Sequence, residues 1–595
     1  MPNYPQLDVI QQSQVQTDVF RGYNHNLKIS DGECYDMLNM STRHYPLLST
    51  RPPRSNAATL ANPRGILAKD ALTYVNGSSL FYNGEDLTSY LTANGVALNS
   101  TEKTMVSMGA YIVIWPDKVY INTENYSDCG YMEASFSKSL SVSSIATYSL
   151  CKQDGSDYEN LIVSDTEPSS PSNGQYWLDT SGSSSVLKCY STTSSMWIDV
   201  GTVYTRIECA GIGERFEKLD GVEISGIAGS GATAEQLESL NSTKLIYDKG
   251  TDYITVVGII NSTWNQTSGT LTVSRNVPAL NYVCEAQNRL WGCFYGIRNG
   301  ETVNELYCCA LGDFKNWEKY QGVSTDSWRA SCGTDGVWTG AIAWGGYPMF
   351  FKENYVHKIY VSSEGAHQVV EAQCRGVQRG SSKSLCVVNE TLYYLSRSGV
   401  CAFTGSVPAS ASPQFGDEIY SAGVAGYSGE RYYLSAMDSS GNYDMLVYDA
   451  GKGLWCKEDG FNALGFARVA DSLYCIDADT GILWDLNGVI GSQESSVSWS
   501  VTSGRQGLEY PQRKYVSRLN LKLMLAAGAT MAVHFQYDSD GTWRSQGNIT
   551  GSGDRTFMLP IRPRRCDHYF VRLSGTGEMK LFSFAKILET GSDYE

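Results

Sequence analysis

The residues of this chain that could do chemistry are few and scattered. Its six histidines, His25, His44, His357, His367, His534 and His568, are isolated. None shows the HxH or HxxxH spacing that turns two imidazoles towards one zinc ion. Sixteen cysteines include no CxxC and one adjacent pair, Cys308 and Cys309. They read as small buried hydrophobes in a reducing compartment, not as a disulfide framework. There is no Walker loop and no GxSxG elbow, and the glycines of "CAGIGER" lack the strand-turn-helix setting of a dinucleotide fingerprint.

Carboxylates are more plentiful. "YDSDGTW" and "IDADTGILWD" place Asp at alternate positions, as calcium loops do, but each lacks the full acidic set and the closing Glu, so both are expected to be hairpin turns. The first also resembles, in one imperfect copy, the Asp-box turn of sialidase propellers. A glycosidase needs two carboxylates whose separation only the fold sets, and no such pair can be assigned. "ELYCCALGDFKNW" and "DMLVYDAGKGLW" share a plan: an apolar strand, a turn with Asp313 or Asp449, then Trp317 or Trp455. Recurrence favours scaffolding, with the Asp accepting backbone hydrogens and the indole packed on the next unit. Hence no catalytic, metal-binding or cofactor-binding residue is assigned, no cofactor is expected, and the chain is expected not to be an enzyme.

Composition indicates the elements that carry these residues. Of 595 residues, 42% are hydrophobic and 18% charged, with 39 Tyr, 13 Trp and 58 Gly, a balance that favours strands and tight turns. A formal charge of −16 and two short, proline-interrupted basic clusters, Arg51 to Arg54 and Arg562 to Arg565, give no face for specific grip on nucleic acid. An acidic wall would instead let a duplex slide past. The opening "MPNYPQLDVIQQSQVQ" lacks the regions of a signal peptide and no apolar run spans a bilayer, which predicts a chain made in a cytoplasm without membrane contact. The Asn-x-Ser/Thr triplets, such as those at Asn261 and Asn389, then mark turns, not glycans.

Self-similarity at about 40 to 50 residues marks propellers. "AKDALTYVNGSSLFYNGEDL" folds two strands about an Asn-Gly turn, "MVSMGAYIVIWPDKVYINTEN" repeats the plan with Pro-Asp, and five further meanders follow between residues 281 and 490. The rhythm stops between 126 and 280, where one module carries Trp177, Tyr190 and Trp197 and a small β-barrel is expected near 206–276, with a helix in "ATAEQLESLNS". Beyond 490 longer alternating strands predict a sandwich. The expectation is an all-β chain: a six- or seven-bladed β-propeller with an inserted β-rich region and a C-terminal, jelly-roll-like β-sandwich. Its divisions are 1–125 (N-terminal clasp and first blades), 126–280 (insertion), 281–490 (remaining blades) and 491–595 (sandwich).

The segment "FRGYNHNLKISDGECYDMLNMSTRHYPLLSTRPPR" resembles the N-terminal signature of bacteriophage propeller proteins, in which "dGe…dm.N" precedes "P.L..R". "EAQNRLWGC", "LGDFKNW", "FFKENYVHKI" and the closing "RPRRCDHYFVRLSGTGEMKLFSFAKILETGS" are similar to the same group, the DNA-stabilisation and tail nozzle proteins of short-tailed phages. That resemblance implies a structural virion protein made in the host cytoplasm. It would form a homohexameric nozzle or hub that continues and gates the DNA channel below the portal and adaptor rings. Tail fibres or a plug protein would be further partners, and genomic DNA a transient, non-specific one. The second reading is a tail or baseplate protein that binds or cleaves carbohydrate, stacking Trp and Tyr rings on sugars. On the first reading residues 20–45 clasp the last blade through Leu27, Ile29 and Tyr35, and Asp31 or Glu33 is dispensable.

Overall fold

The computed structural model describes residues 11–182, 184–363, 366–551 and 553–590, and almost all regular structure in them is β. Seven meander sheets follow one another along the chain. Each of the first six has four strands: residues 63–86, 104–131, 282–331, 340–373, 386–410 and 421–459, numbered here sheets 1 to 6. The seventh, residues 463–485, is completed from elsewhere by Ser55–Thr59 and Ser492–Gln493. The first hairpin of sheet 1 forms where the sequence predicts, but its two turn residues are Gly77, in the left-handed region at φ 64°, and Ser78, with Asn76 still in the strand and paired with Ser79.

The first strands of these sheets lie beside one another. Pro63–Lys69 packs against Thr104–Met108, which packs against Tyr282–Ala286, and that strand against Gly340–Trp344. Gly340–Trp344 touches the 3-10 turn Ser382–Ser384 that leads into sheet 5, and the same turn packs on Ser421–Ser428. Ser421–Ser428 lies against Ala463–Val469, which in turn lies against Pro63–Lys69. Glycines set the spacing: a Cβ at Gly426 would sit 2.4 Å from Cβ of Phe466, and one at Gly465 would sit 2.8 Å from Ile66.

Between sheets 2 and 3 the chain leaves to build the insertion. Its eight-stranded antiparallel sheet runs in the order Ala134–Ser139, Thr270–Arg275, Gly221–Ser225, Thr243–Lys249, Tyr253–Val257, Tyr204–Glu208, Ala146–Cys151, Trp264–Gln266. Residues 134–151 therefore join the segment expected to form a barrel near 206–276. The helix Ala234–Leu240 lies where the sequence puts one, begun by a capping box between Thr233 and Gln236. A separate four-stranded sheet spans 162–199, where Trp197 meets Trp177 and Tyr190 edge-on at 5.4 and 5.3 Å. Ala134 pairs with Arg275, so the insertion's two ends are adjacent. Its root is tied to sheet 3 by Asp220, which binds Arg275 and accepts from Asn316.

Two six-stranded sheets form the C-terminal sandwich, and here the structure corrects the expected clasp. Glu33–Leu38 pairs with Ser498–Ser503, Leu48–Thr50 with Met579–Thr590, and Gln11–Thr17 with that same long strand. The N-terminal segment thus belongs to the sandwich. Leu27 is exposed, and Tyr35 sits at the bulge of its strand, stacked on His25 at 4.1 Å. The strand that completes sheet 7 is Ser55–Thr59, just past Pro52 and Pro53, paired with Ile482–Asp485. Prolines cannot donate to a ladder, so the chain leaves the sandwich at that pair and re-enters pairing two residues later.

Candidate functional site

A pocket of about 400 Å³ lies where the first strands converge. All seven sheets contribute to it, either by the first strand or by the turn leading into it: Ile66, Met105, Val283, Ala341, Lys383, Ala425 and Phe466 stand for sheets 1 to 7. Its one carboxylate is Glu102, whose Oε1 lies 2.6 Å from Lys383 Nζ, and Lys383 also donates to the Leu464 carbonyl at 2.6 Å. Lys383 thereby links the entry to sheet 2, the entry to sheet 5 and sheet 7. Both side chains are partly exposed, so the pair adds at most about 1 kcal/mol. Two-carboxylate glycoside chemistry needs a second acid about 5 to 9 Å away, and the pocket lining contains none.

The basic cluster at Arg51 to Arg54 is spent inside the molecule. Asn39, held in the left-handed region at φ 58°, accepts from Arg51 Nε at 2.7 Å and from the Asp459 backbone at 2.9 Å, and donates to the Ser498 carbonyl at 2.7 Å. Arg51 also reaches Glu494 at 2.7 Å and Asp459 at 3.0 Å, while Arg54 binds Glu458 at 2.8 Å. Burial alone would raise the Asp459 carboxyl, but the Arg54 and Arg51 guanidinium groups outweigh it and hold the group below the usual carboxylate range. One residue each from "dm.N" and "P.L..R" thus meets in a joint between the sandwich and sheet 6.

Asp313 and Asp449 behave as turn residues. Asp313 accepts from the Lys315 backbone at 3.2 Å and from the Asn316 amide at 2.6 Å. Asp449 accepts from the Lys452 backbone at 3.2 Å and from Thr42 at 2.6 Å. Trp317 packs with Val113 and Trp115 of sheet 2, and Trp455 donates to the Ala411 carbonyl beside sheet 5 at 2.8 Å, so each indole reaches the preceding unit and not the next one expected. The aspartates of the two calcium-like loops are likewise occupied: Asp540 by Thr542 and Arg544, Asp477 by Asp479 and Thr480.

His357 is not isolated in the fold. It faces Glu371 across sheet 4, with Nε2 3.6 Å from Oε1, and Cys332 at the end of sheet 3 brings its sulfur into the same cluster. Sequence spacing gave no sign of this, because His357 and Glu371 lie on separate strands and Cys332 in the segment after a strand of another sheet. Burial pushes the Cys332 thiol up to about 11, with Glu371 adding to the rise. Burial, then the Lys352 ammonium, holds His357 down to about 4. Both groups are neutral near pH 7, unlike the thiolate–imidazolium pair of a cysteine nucleophile. The sixteen cysteines form no disulfide, and thirteen of them are buried.

An all-β protein of many small sheets is the class these observations define. No family model matches the chain, and no curated protein matches it. Among solved structures it is similar to an exo-beta-1,3-galactanase from Phanerochaete chrysosporium with galactose, at 10% identity over 51% of this chain and 94% of that one, with a TM-score of 0.21. A glycoside hydrolase matches at 10% identity over 51% of this chain and 96% of that one, with a TM-score of 0.16. A Bacillus thuringiensis Cry1Da tryptic core variant matches at 8% identity over 54% and 53% of the two chains, with a TM-score of 0.11. The expectation that the chain is not an enzyme is withdrawn beside these neighbours, since it rested on missing motifs alone. Missing sequence motifs were no ground for that exclusion, since carboxylates of such enzymes meet only in the fold. At these TM-scores the likeness transfers no activity, substrate or residue role.

Proposed function

We propose that the seven sheets are the blades of a seven-bladed β-propeller, closed by Ser55–Thr59, and that the chain is a ring-forming structural protein of a phage tail, a nozzle or hub. The succession of first strands from Pro63–Lys69 round to Ala463–Val469, and the pocket to which every sheet contributes, support the propeller. The observation that carries the functional reading is the joint at Asn39 and Arg51. Asn39 and Arg51, two of the polar residues by which the segment resembles the phage proteins, are consumed in fixing the sandwich to a blade, as befits a part that bears load between modules. A net charge of −16 suits a wall along which DNA slides. The ring on this reading is a homohexamer below the portal and adaptor, in contact with tail fibres or a plug protein. Analytical ultracentrifugation with negative-stain imaging of the purified chain, and its detection in mature particles, test the idea. A protein that stays monomeric and is missing from particles defeats it.

The second reading, a tail or baseplate protein that binds or cleaves carbohydrate, is favoured by one surface feature. Lys358 lies 4.1 Å from the Tyr347 ring centroid and 4.7 Å from that of Tyr360, which is 42% exposed, an aromatic and cationic face of the kind that stacks on sugars. A glycan array with a reducing-sugar release assay tests this reading. Binding lost in Tyr360→Ala supports it, and an empty array with no sugar released removes it.

A further inference from the structure

We propose that Cys332, His357 and Glu371 form a site for a zinc-class divalent cation that clamps sheet 3 to sheet 4. One donor atom from each of the three residues lies within 4.8 Å of the others. His357 and Glu371 are direct cross-strand partners of Tyr355–Tyr360 and Gln368–Gln373, so their side chains leave the same face of sheet 4. Cys332 follows the outer strand Trp328–Ser331 of sheet 3, so the donors straddle the seam between two sheets that also meet through side-chain packing and through the Gln287 amide, which donates to the Gly346 carbonyl at 2.9 Å.

The surroundings fix the donors. Asn304 donates to the carbonyls of both Cys332 and Thr334 at 2.9 Å, which pins the Cys332 loop. The His357 ring lies edge-on to Trp338 at 4.8 Å, and its Nε2 is 2.9 Å from Thr334 Oγ1, a hydrogen bond that a bound cation would replace. Thiolate, imidazole and carboxylate together suit zinc, whose bonds to sulfur, nitrogen and oxygen set tetrahedral donor separations of roughly 3.3 to 3.6 Å. The His357 to Glu371 gap, 3.6 Å, already fits, and Glu371 is exposed enough to move. Lys352 is the nearby cation. Its Nζ donates to the Thr334 carbonyl at 2.6 Å and lies over the Trp338 ring at 4.5 Å. A thiolate and a carboxylate cancel the charge of a dication, so a filled site sets no net charge against that ammonium. Binding transfers the thiol proton to solvent and moves no electron.

Cobalt(II) is the probe. The full chain, stripped of metal with a chelator, is titrated with Co²⁺ and followed by absorption. The expected result is binding of one equivalent with a near-ultraviolet thiolate-to-cobalt charge-transfer band, which Zn²⁺ displaces. Cys332→Ser abolishes the band. Glu371→Gln, at an exposed position that leaves folding unharmed, weakens binding by at least the roughly 10-fold that loss of an outer-shell partner costs. Zn²⁺ also raises the unfolding temperature of the wild type and not of Cys332→Ser. The proposal is overturned if no stoichiometric band forms, if the band survives in Cys332→Ser, or if Glu371→Gln binds as the wild type does. It stands apart from the ring reading and survives that reading's failure.

Discussion

Replacing Arg51 by Ala should loosen the sandwich from the sheets without touching either core. The Arg51 side chain is 2% exposed, and its partners Glu458, Glu494 and Asp459 are 8%, 22% and 44% exposed. Removing one partner of a buried ion pair costs about 3 to 5 kcal/mol, and exposure of Asp459 puts this case near the lower end. The hydrogen bond to Asn39 adds about 1 kcal/mol. A loss near 3 to 4 kcal/mol lowers the melting temperature of a unit the size of the sandwich by roughly 10 °C. Scanning calorimetry of the full chain would resolve this transition, with exposed Arg21→Ala as control. Arg51→Lys keeps the charge but loses the fork and should recover only part of the loss. The pH dependence has a fixed sign. Asp459 has a lowered carboxyl pKa in the folded state, so its contribution is full above the unfolded carboxyl value of about 3.9 and is lost as pH falls through the folded value. The gap between wild type and Arg51→Ala should therefore narrow below about pH 4. A melting temperature within about 2 °C of wild type, or a gap indifferent to acid, would refute the reasoning.

Asp31→Ala was expected from sequence to be harmless, but Lys586, 1% exposed, lies 3.3 Å from Asp31. Its loss should lower sandwich stability by about 1 to 3 kcal/mol in thermal melts, with Glu33→Ala the milder change. Gly426→Ala drives a methyl into Phe466 and should cost about 1 to 3 kcal/mol, whereas Gly429→Ala, where no neighbour comes within 4 Å but φ is 58°, tests backbone strain alone. Trp455→Ala, at a fully buried indole, should cost about 3 to 5 kcal/mol by the same measurement. Replacing 134–275 by a short Gly-Ser linker should leave sheets 1 to 7 folded by circular dichroism, because Ala134 and Arg275 are paired neighbours; aggregation on expression would count against that independence.

The parts legible in the sequence were those whose partners lie nearby along the chain. The Gly77 turn marks a hairpin because a turn chooses its own residues, though the loop is Gly77-Ser78 and Asn76 stays in the strand, and Thr233 with Gln236 starts a helix by a contact three positions long. Asp313 and Asp449 were readable for the same reason. The strand Ser55–Thr59 was not, since "SNAAT" is small and polar and takes its fold from residues over 400 positions away. The N-terminal strands misled similarly: their pattern is right for β, but nothing in it says which sheet receives them. His357 and Glu371 sit in adjacent strands of one hairpin, so alternation could have put them on one face had the register been known. Cys332 comes from another sheet and carried no local signal.

The pairing of Gln11–Thr17 with Met579–Thr590 also bears on how the chain acquires its fold. Gln12 and Glu589 face each other although 577 positions apart. At roughly 5 to 20 residues per second, a ribosome takes on the order of half a minute to two minutes to deliver the second partner after the first. During that interval the strands of residues 11–50 lack their C-terminal partners, while the local meanders can complete one after another. The sandwich is then the last module to set, and a truncated translation product would carry finished meanders beside an open N-terminal arm, a state that quality-control proteases can recognise.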